Sequence, residues 1–299
     1  MAPERVLAIL NPVAGRGAAE RAWAAAGPVL RAAGVPVELV RTEAAGHATR
    51  LAAGAAPGDW KYVIAVGGDG TINEVANGLL GAAAPGRASV SLAVIPGGSG
   101  NDFIKPLGIP VDPATAAAHL LRASPRQVDA GRVAGTWFVN GVGVGFDAQV
   151  AMTARGIRML RGTALYAWAL LKVAATYTSP RVRVSLDDAA PADRCVTMIS
   201  AANGPCCGGG FWLCPDARLD DGRLDVLIAD AMPRRRVLAF LAASMRRAHL
   251  GRPGLEIHHA RKIVITSDQP LPIHVDGQIL APMNRIEIEI LPHRLTVLA

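Results

Sequence analysis

A chain of 299 residues exceeds what one hydrophobic core usually fills, so the sequence is read as two domains or one large one. Hydrophobic residues make up 51%, which excludes a disordered chain, yet no apolar run reaches the ~20 residues that span a bilayer. The 31 basic residues against 24 acidic ones give +7 and suit an anionic partner, while aromatics at 4% argue against a stacking surface for single-stranded nucleic acid.

The start, MAPERVLAILNP, has no basic n-region or small-residue cleavage site, so a cytoplasmic location is the default expectation. Val6 to Leu10 reads as a strand closed by Asn11-Pro12, followed by an alanine-rich helix from about Ala18 to Ala33. Val35 to Val40 is a second strand, Thr42 to Ala53 a second helical stretch, and Tyr62 to Val66 a third strand running into Gly67-Gly68-Asp69-Gly70. Ser89 to Ile95 repeats the pattern and ends in Pro96-Gly97-Gly98-Ser99-Gly100-Asn101-Asp102. Such alternation predicts a parallel sheet covered by helices, with ligands gathered at the carboxyl ends of its strands.

Beyond about Asp129 the texture changes. Trp137 to Val144, Arg181 to Leu186, Val196 to Ala201, Leu224 to Ala229, Lys262 to Thr266, Ile273 to Val275 and Ile286 to Ile290 read as separate strands, several with period-two alternation. They predict an antiparallel, sandwich-like second domain, interrupted by helices at Ala154 to Tyr177 and Arg234 to Leu250. Residues 1–129 are thus expected to form the nucleotide-binding domain and 130–284 the acceptor-binding one, with about 285–299 returning to the first. Cys195, Cys206, Cys207 and Cys214 form no CxxC pair and read as reduced thiols; His274 and the pair His258-His259 read as structural or surface groups.

The chemistry lies in the loops. In the run Val63 to Leu79, glycines after a strand let backbone N–H groups approach an anion, and the helix start adds favourable partial charge. A phosphate fits, but Asp69 among the glycines would repel it unless a cation lay between, which implies magnesium. Asn11 to Gly17 adds Arg16, whose guanidinium can grip phosphate bidentately. The third loop offers hydrogen bonds from Ser99 and Asn101 and a second carboxylate, Asp102; Asp129 would be a third if the domains meet there.

With these motifs in view, NPVAGRG, GGDGTINEVANGL, PGGSGNDF, PDARLDDGRLDV and HVDGQ occur in the order of the diacylglycerol kinase catalytic-domain family, and the chain resembles its bacterial lipid kinase branch, related to sphingosine and ceramide kinases. GGDGT alone is shared with NAD kinases and 6-phosphofructokinases; NEVANGL and the following NDF select the lipid kinases. The resemblance implies a Rossmann-like, NAD kinase-type α/β domain followed by an antiparallel β-sandwich. It also implies ATP contacts from Asn11, Pro12, Gly15, Arg16, Thr42, Gly67, Gly68, Asp69, Gly70, Thr71, Asn73 and Ser99, with Asn101 beside them. Asp69, Asp102 and Asp129 would organise a catalytic Mg2+, partly through water. Asp221, with the backbone carbonyls of Arg218 and Arg223, would hold a second, although a plain Asp-Asp-Gly turn explains that spacing as well.

In His274-Val275-Asp276-Gly277-Gln278 the family's final glutamate is replaced by Gln278, which cannot accept a proton at neutral pH. Asp276 is then expected to take the proton from the attacking hydroxyl while Gln278 orients it; loss of activity is the alternative. The expected reaction is transfer of the γ-phosphoryl group of ATP to the hydroxyl of diacylglycerol, a sphingoid base or ceramide. NAD kinase activity and a regulatory protein without turnover are the rivals. Arg234 to Arg236, Arg246, Arg247 and Arg252 bracket Val237, Leu238, Phe240, Leu241 and Met245, and Arg155, Arg158 and Arg161 precede a second apolar helix. Either helix suits peripheral contact with an anionic membrane, or a core helix with a solvated basic face. The sequence is also compatible with a homodimer.

Overall fold

In the computed structural model the chain is described over residues 5–55, 59–82, 90–156 and 162–299. Four apolar runs become parallel strands β1 (Val6–Leu10), β2 (Val37–Arg41), β3 (Tyr62–Gly67) and β4 (Ser91–Pro96), ordered β4-β3-β1-β2. β1 and β3 are buried throughout, as strands covered on both faces must be. Helix α1 (Ala18–Ala32) packs on α4 (Pro113–Leu120), and α2 (His47–Ala53) packs on α3 (Asp69–Ala82). The helix expected from Thr42 begins only at His47, because left-handed Gly46 (φ 76°) redirects the chain and gives its N–H to Glu74. Helix α4 was not foreseen, although Asp112 caps it by accepting from Thr115 N at 2.8 Å and Pro113 follows at the first turn.

The remaining strands are β5 (Pro125–Val133), β6 (Thr136–Phe138), β7 (Gly141–Gly145), β8 (Arg181–Leu186), β9 (Ala192–Ala202), β10 (Leu224–Asp230), β11 (Leu255–Ala260), β12 (Lys262–Val275) and β13 (Gln278–Leu298). All their mutual pairings are antiparallel. Inward-facing residues such as Phe138, Val142, Ile199, Ile263, Ile273 and Ile288 form a core of their own. Two expected strands merge into β12, whose register shifts between Thr266 and Ile273; such bulges break the alternation on which a sequence reading relies. The expected strand Trp137 to Val144 is instead broken at Val139-Asn140, where the backbone turns toward Asp276.

Strand β13 is the hinge between the layers. Its first half pairs with β12, and its end pairs with β5 and, in parallel, with β4 through Val297 and Leu92. The two cores are therefore joined by continuous hydrogen bonding rather than by a free linker. Helices α5 (Phe146–Gly156), α6 (Gly162–Thr176) and α7 (Arg234–Ser244) accompany a third apolar cluster on the other face of β9 and β10, around Phe146, Met198, Leu227 and Phe240. No described helix is long and apolar enough to cross a membrane.

Candidate active site

Because β1, β3 and β4 are adjacent and parallel, their carboxyl ends deliver three turns, Asn11–Gly17, Gly67–Gly70 and Gly97–Asp102, to one edge of the sheet. Backbone meets backbone there. A Cβ on Gly15 would stand 2.5 Å from Gly97 O, one on Gly68 3.0 Å from Gly98 Cα, and one on Gly98 would overlap Gly68 Cα. The glycines thus serve a close approach of backbone to backbone that a side chain would block. Gly98→Ala is accordingly expected to force the second and third turns apart and weaken ATP binding by more than about tenfold, some 1.4 kcal/mol, measured by calorimetry.

Residues expected to touch the nucleotide divide into two groups. Gly15, Arg16, Ser99 and Gly70 are exposed, Pro12 and Gly68 half-buried. The others are struts. Asn11 Nδ2 donates to Thr71 Oγ1 at 3.2 Å while its Oδ1 accepts from Val13 N, and Thr71 fills the space a Gly67 side chain would need. Asn101, at φ 51°, donates to Gly98 O at 3.1 Å within its own turn. Thr42 is buried at the end of β2 with its N–H on Leu10 O. Asn73 faces the second domain, donating to Asp276 Oδ2 at 2.9 Å and Trp137 O at 3.2 Å. Asn77, one turn on, was missed; it accepts from Trp137 N and donates to Trp137 O, both at 2.9 Å. The spacing of Asn73 and Asn77 on one helix face was the signal that could have found it.

Asp69, at the start of α3, accepts at Oδ1 from the N–H groups of Asp102 (2.7 Å) and Phe103 (3.1 Å). Its Oδ2 and Asp102 Oδ2 both face the bare Cα of Gly100, standing 2.7 and 3.4 Å from where a Cβ would be. Burial, then the Asp102 charge, holds the Asp69 carboxyl above its usual range against the two backbone donors. Asp102 is itself wrapped: Lys105 Nζ lies 2.6 Å from Oδ1, Gly209 N donates to Oδ2 at 2.7 Å, and Cys206 Sγ is 3.5 Å from Oδ1. Burial and Asp102 push the Cys206 thiol up to about 12, so it is not a nucleophile at neutral pH. Lys105 and Gly209 were also missed; Lys105 was legible as i,i+3 to Asp102, whereas Gly209 comes from a distant loop. Two convergent hard-oxygen donors suit magnesium, whose other ligands come from water and phosphate.

Asp129 does not join them. Buried in β5, it accepts at Oδ2 from Gly222 N (2.6 Å) and at Oδ1 from His293 N (2.8 Å), bracing the 219–223 turn against β13. Its carboxylate makes no contact with Asp69 or Asp102 among the described residues, because β5 presents it to Leu219 and β13 instead. In the same turn Asp221 accepts from Arg223 N at 3.1 Å, while Asp220 carries the ion pairs, with Arg126 at 2.9 Å and Arg218 at 3.7 Å. No group of three or more metal-binding side chains occurs among the described residues.

Asp276 corrects the expectation of a free base. It follows β12 in a two-residue Asp-Gly turn, with φ 45° at Asp276 and 78° at Gly277, which matches the twist of the β12–β13 hairpin. Its Oδ1 accepts from Asn140 N (3.1 Å) and Gly141 N (2.7 Å), its Oδ2 from Val139 N and Asn73 Nδ2 (both 2.9 Å). Four donors fill the four lone-pair sites of a carboxylate, leaving none for a substrate proton. Burial pushes this carboxyl up, and the same donors pull against it. Gln278 is exposed, and its side chain makes no hydrogen bond among the described residues.

Residues 5–133 match the family model described as "Diacylglycerol kinase catalytic domain", and residues 140–299 match "YegS C-terminal NAD kinase beta sandwich-like domain". A Pseudomonas putida protein named "Probable lipid kinase YegS-like" is 35% identical over 260 residues, covering 85% of this chain and 83% of its own. The chain belongs to the diacylglycerol kinase catalytic-domain family. Membership makes it a kinase that transfers phosphate from ATP to an alcohol group of a lipid. A Mycobacterium tuberculosis protein named "Diacylglycerol kinase" is 29% identical over 301 residues, covering 98% of this chain and 94% of its own. In fold, the kinase is similar to a diacylglycerol kinase of Bacillus anthracis str. Sterne, with TM-score 0.73 and 24% identity over 99% of this chain and 96% of that one. An Archaeoglobus fulgidus NAD kinase in complex with ATP shares the fold at TM-score 0.54 and 14% identity, over 99% of this chain and 93% of that one.

Proposed function

We propose that this kinase phosphorylates the free hydroxyl of diacylglycerol, with ATP over the three glycine turns and Mg2+ between Asp69 and Asp102. The observation that carries the reading is the convergence of Asp69 Oδ2 and Asp102 Oδ2 on the bare face of Gly100, beside turns that leave room for a polyphosphate. A bound magnesium ion would neutralise phosphate charge there. Arg16 and Ser99 bind the phosphates from the rim, the buried asparagines hold the turns in register, and Asn73 with Asp276 ties the nucleotide loops to the acceptor domain. Diacylglycerol is preferred as acceptor because the relative covering 98% of this chain carries that name. The test is a thin-layer assay with radiolabelled ATP: label in phosphatidic acid supports the reading, and label only in NADP with NAD as acceptor overturns it.

The acceptor is a membrane lipid, and the reading assigns its docking to the α6–α7 face. Trp168 (53% exposed) and Leu171 (52%) are exposed on α6, and Met245 (57%) is exposed just after α7, in a stretch that also exposes Arg234, Arg235, Arg236, Arg246 and Arg252. Arg247 lies 3.5 Å over the Trp212 ring. Val237, Phe240 and Leu241 are buried, so α7 is a core helix that also carries a basic rim. Arg158, Arg161 and the side chain of Arg155 lie outside the described residues. Each well-placed arginine is worth about 1 kcal/mol at an anionic surface. Co-sedimentation with phosphatidylglycerol vesicles is expected to fall steeply as salt rises, and to be absent with phosphatidylcholine.

A further inference from the structure

Of the two carboxylates proposed for magnesium, Asp102 carries a cation supplied by the chain itself. Lys105 follows it by three residues in the turn that leaves β4, and Nζ lies 2.6 Å from Asp102 Oδ1. The residues between them, Phe103 and Ile104, are buried in the core of the parallel sheet, and Lys105 N donates back to Asp102 O at 3.4 Å. The backbone that carries the lysine is therefore anchored. The Asp102 side chain is 5% exposed and that of Lys105 28%, so the pair is shielded on one side and open on the other. No other lysine or arginine is ion-paired with Asp69 or Asp102 among the described residues.

Which oxygen the lysine takes decides what it can do. Oδ1 carries Nζ, whereas Oδ2 accepts from Gly209 N at 2.7 Å and, with Asp69 Oδ2, faces the bare Cα of Gly100. A carboxylate oxygen has two lone pairs, so Oδ2 keeps one after the Gly209 bond. Lys105 thus leaves the oxygen proposed for the ion open and acts on it through charge, and ammonium and ion can be present together. Nζ makes that one hydrogen bond among the described residues; its other two N–H groups, on a partly exposed side chain, are available to a phosphate oxygen. We infer that Lys105 sets the charge of the metal site so that it admits magnesium in complex with ATP rather than alone. The inference rests on the reading of Asp69 and Asp102 as the magnesium carboxylates.

Without the lysine the two carboxylates present a double negative charge, which attracts the bare dication and repels its ATP complex, itself doubly negative overall. With the lysine in place the site carries a single net negative charge. Bare magnesium is then held less tightly, and the complex more tightly. A unit charge about 5 Å from a dication changes its binding by about tenfold even at the dielectric of water. Lys105 is a positioning residue in this account: it orients Asp102 and tunes its field. A lysine that only braced the turn would, on removal, loosen Asp102 and weaken both ligands together.

The experiment is isothermal calorimetry on the full chain without lipid, using two titrants: magnesium chloride alone, and the magnesium complex of a non-hydrolysable ATP analogue with an imido β,γ bridge. Lys105→Met is expected to tighten magnesium alone by about tenfold and to weaken the nucleotide complex by about tenfold. Lys105→Gln loses the same charge but can still donate to Asp102 Oδ1; it is expected to give the same pair of opposite shifts, and it carries the test if the methionine variant does not fold. Lys105→Arg keeps the charge and is expected to leave both affinities within about threefold of the unaltered protein. Shifts of both ligands in one direction, unchanged affinities in a folded variant without the charge, or the opposite shifts in Lys105→Arg as well, each overturn the inference. Asp102→Asn separates it from the reading beneath it. If Lys105→Met with Asp102→Asn binds magnesium as tightly as Lys105→Met alone, the ion is not held at Asp102 and both fall. If Asp102→Asn weakens the nucleotide complex by about tenfold or more while Lys105→Met and Lys105→Gln move neither affinity, the magnesium reading stands and the inference alone falls.

Discussion

Asp276→Asn is expected to lower the melting temperature by roughly 5–10 °C and to abolish phosphoryl transfer, although the substitution barely changes shape. An asparagine at this position keeps one acceptor oxygen and presents an NH2 to the other pair of donors. Whichever way the amide turns, either Asn140 N and Gly141 N or Val139 N and Asn73 Nδ2 lose their acceptor. Leaving buried donors unsatisfied costs about 1–3 kcal/mol each, so two give about 2–4 kcal/mol after partial relaxation. For a protein of this size each kcal/mol moves the midpoint by about 2–4 °C. The loss of turnover follows from the same bonds, because Asp276 holds α3, which starts at Asp69, against the 139–141 turn. Calorimetric melting and ATP titration check the two parts. A variant that melts like the wild type yet has lost turnover would return Asp276 to the role of base.

The glycine loops were legible because their chemistry and their sequence spacing coincide. Each follows an apolar run, and each needs backbone approach that no other residue allows. β8 is found at the expected limits, Arg181 and Leu186, because its period-two alternation is uninterrupted. β5 was not legible: Arg126, Asp129 and Arg132 make it look polar, whereas the structure buries Asp129 completely by giving its carboxylate two backbone donors. The same fact removed Asp129 from the expected carboxylate cluster. A sequence reports that a carboxylate is present but not which N–H groups claim it, and those donors come from residues 93 and 164 positions away. His274 shows the converse. As a lone histidine in a strand it read as structural, and only the folding of α5 over β12 brings Asp147 to its ring. The family resemblance located the segment without resolving this, since the departure at Gln278 lies in that segment.

Asp69→Asn is expected to move stability and activity in opposite directions. In the metal-free protein the Asp69 carboxyl is buried and faces Asp102, so its charge is a liability to folding. Its folded value lies above the unfolded one of about 3.9. The native state therefore binds the proton more tightly, and stability declines as pH rises from the unfolded value through the raised one, leaving the full penalty in place at neutral pH. Asparagine removes that penalty. Its Oδ1 can still accept from Asp102 N and Phe103 N, and its Nδ2 can donate toward Asp102 Oδ2 across Gly100. A gain of about 1 kcal/mol is expected, of the size seen when a functional site is relieved of its strain. Melting in chelator at pH 7.5 checks the gain, which should vanish well below pH 4, where both proteins are neutral at this position. Turnover is expected to fall by about 10³-fold or more, because one of the two hard-oxygen donors proposed for magnesium becomes neutral while the glycine turns proposed to bind phosphate are untouched. ATP binding measured without magnesium should accordingly stay within a few-fold of the wild type. A variant that keeps magnesium-dependent turnover would show that the two carboxylates beneath Gly100 are not where the ion is held.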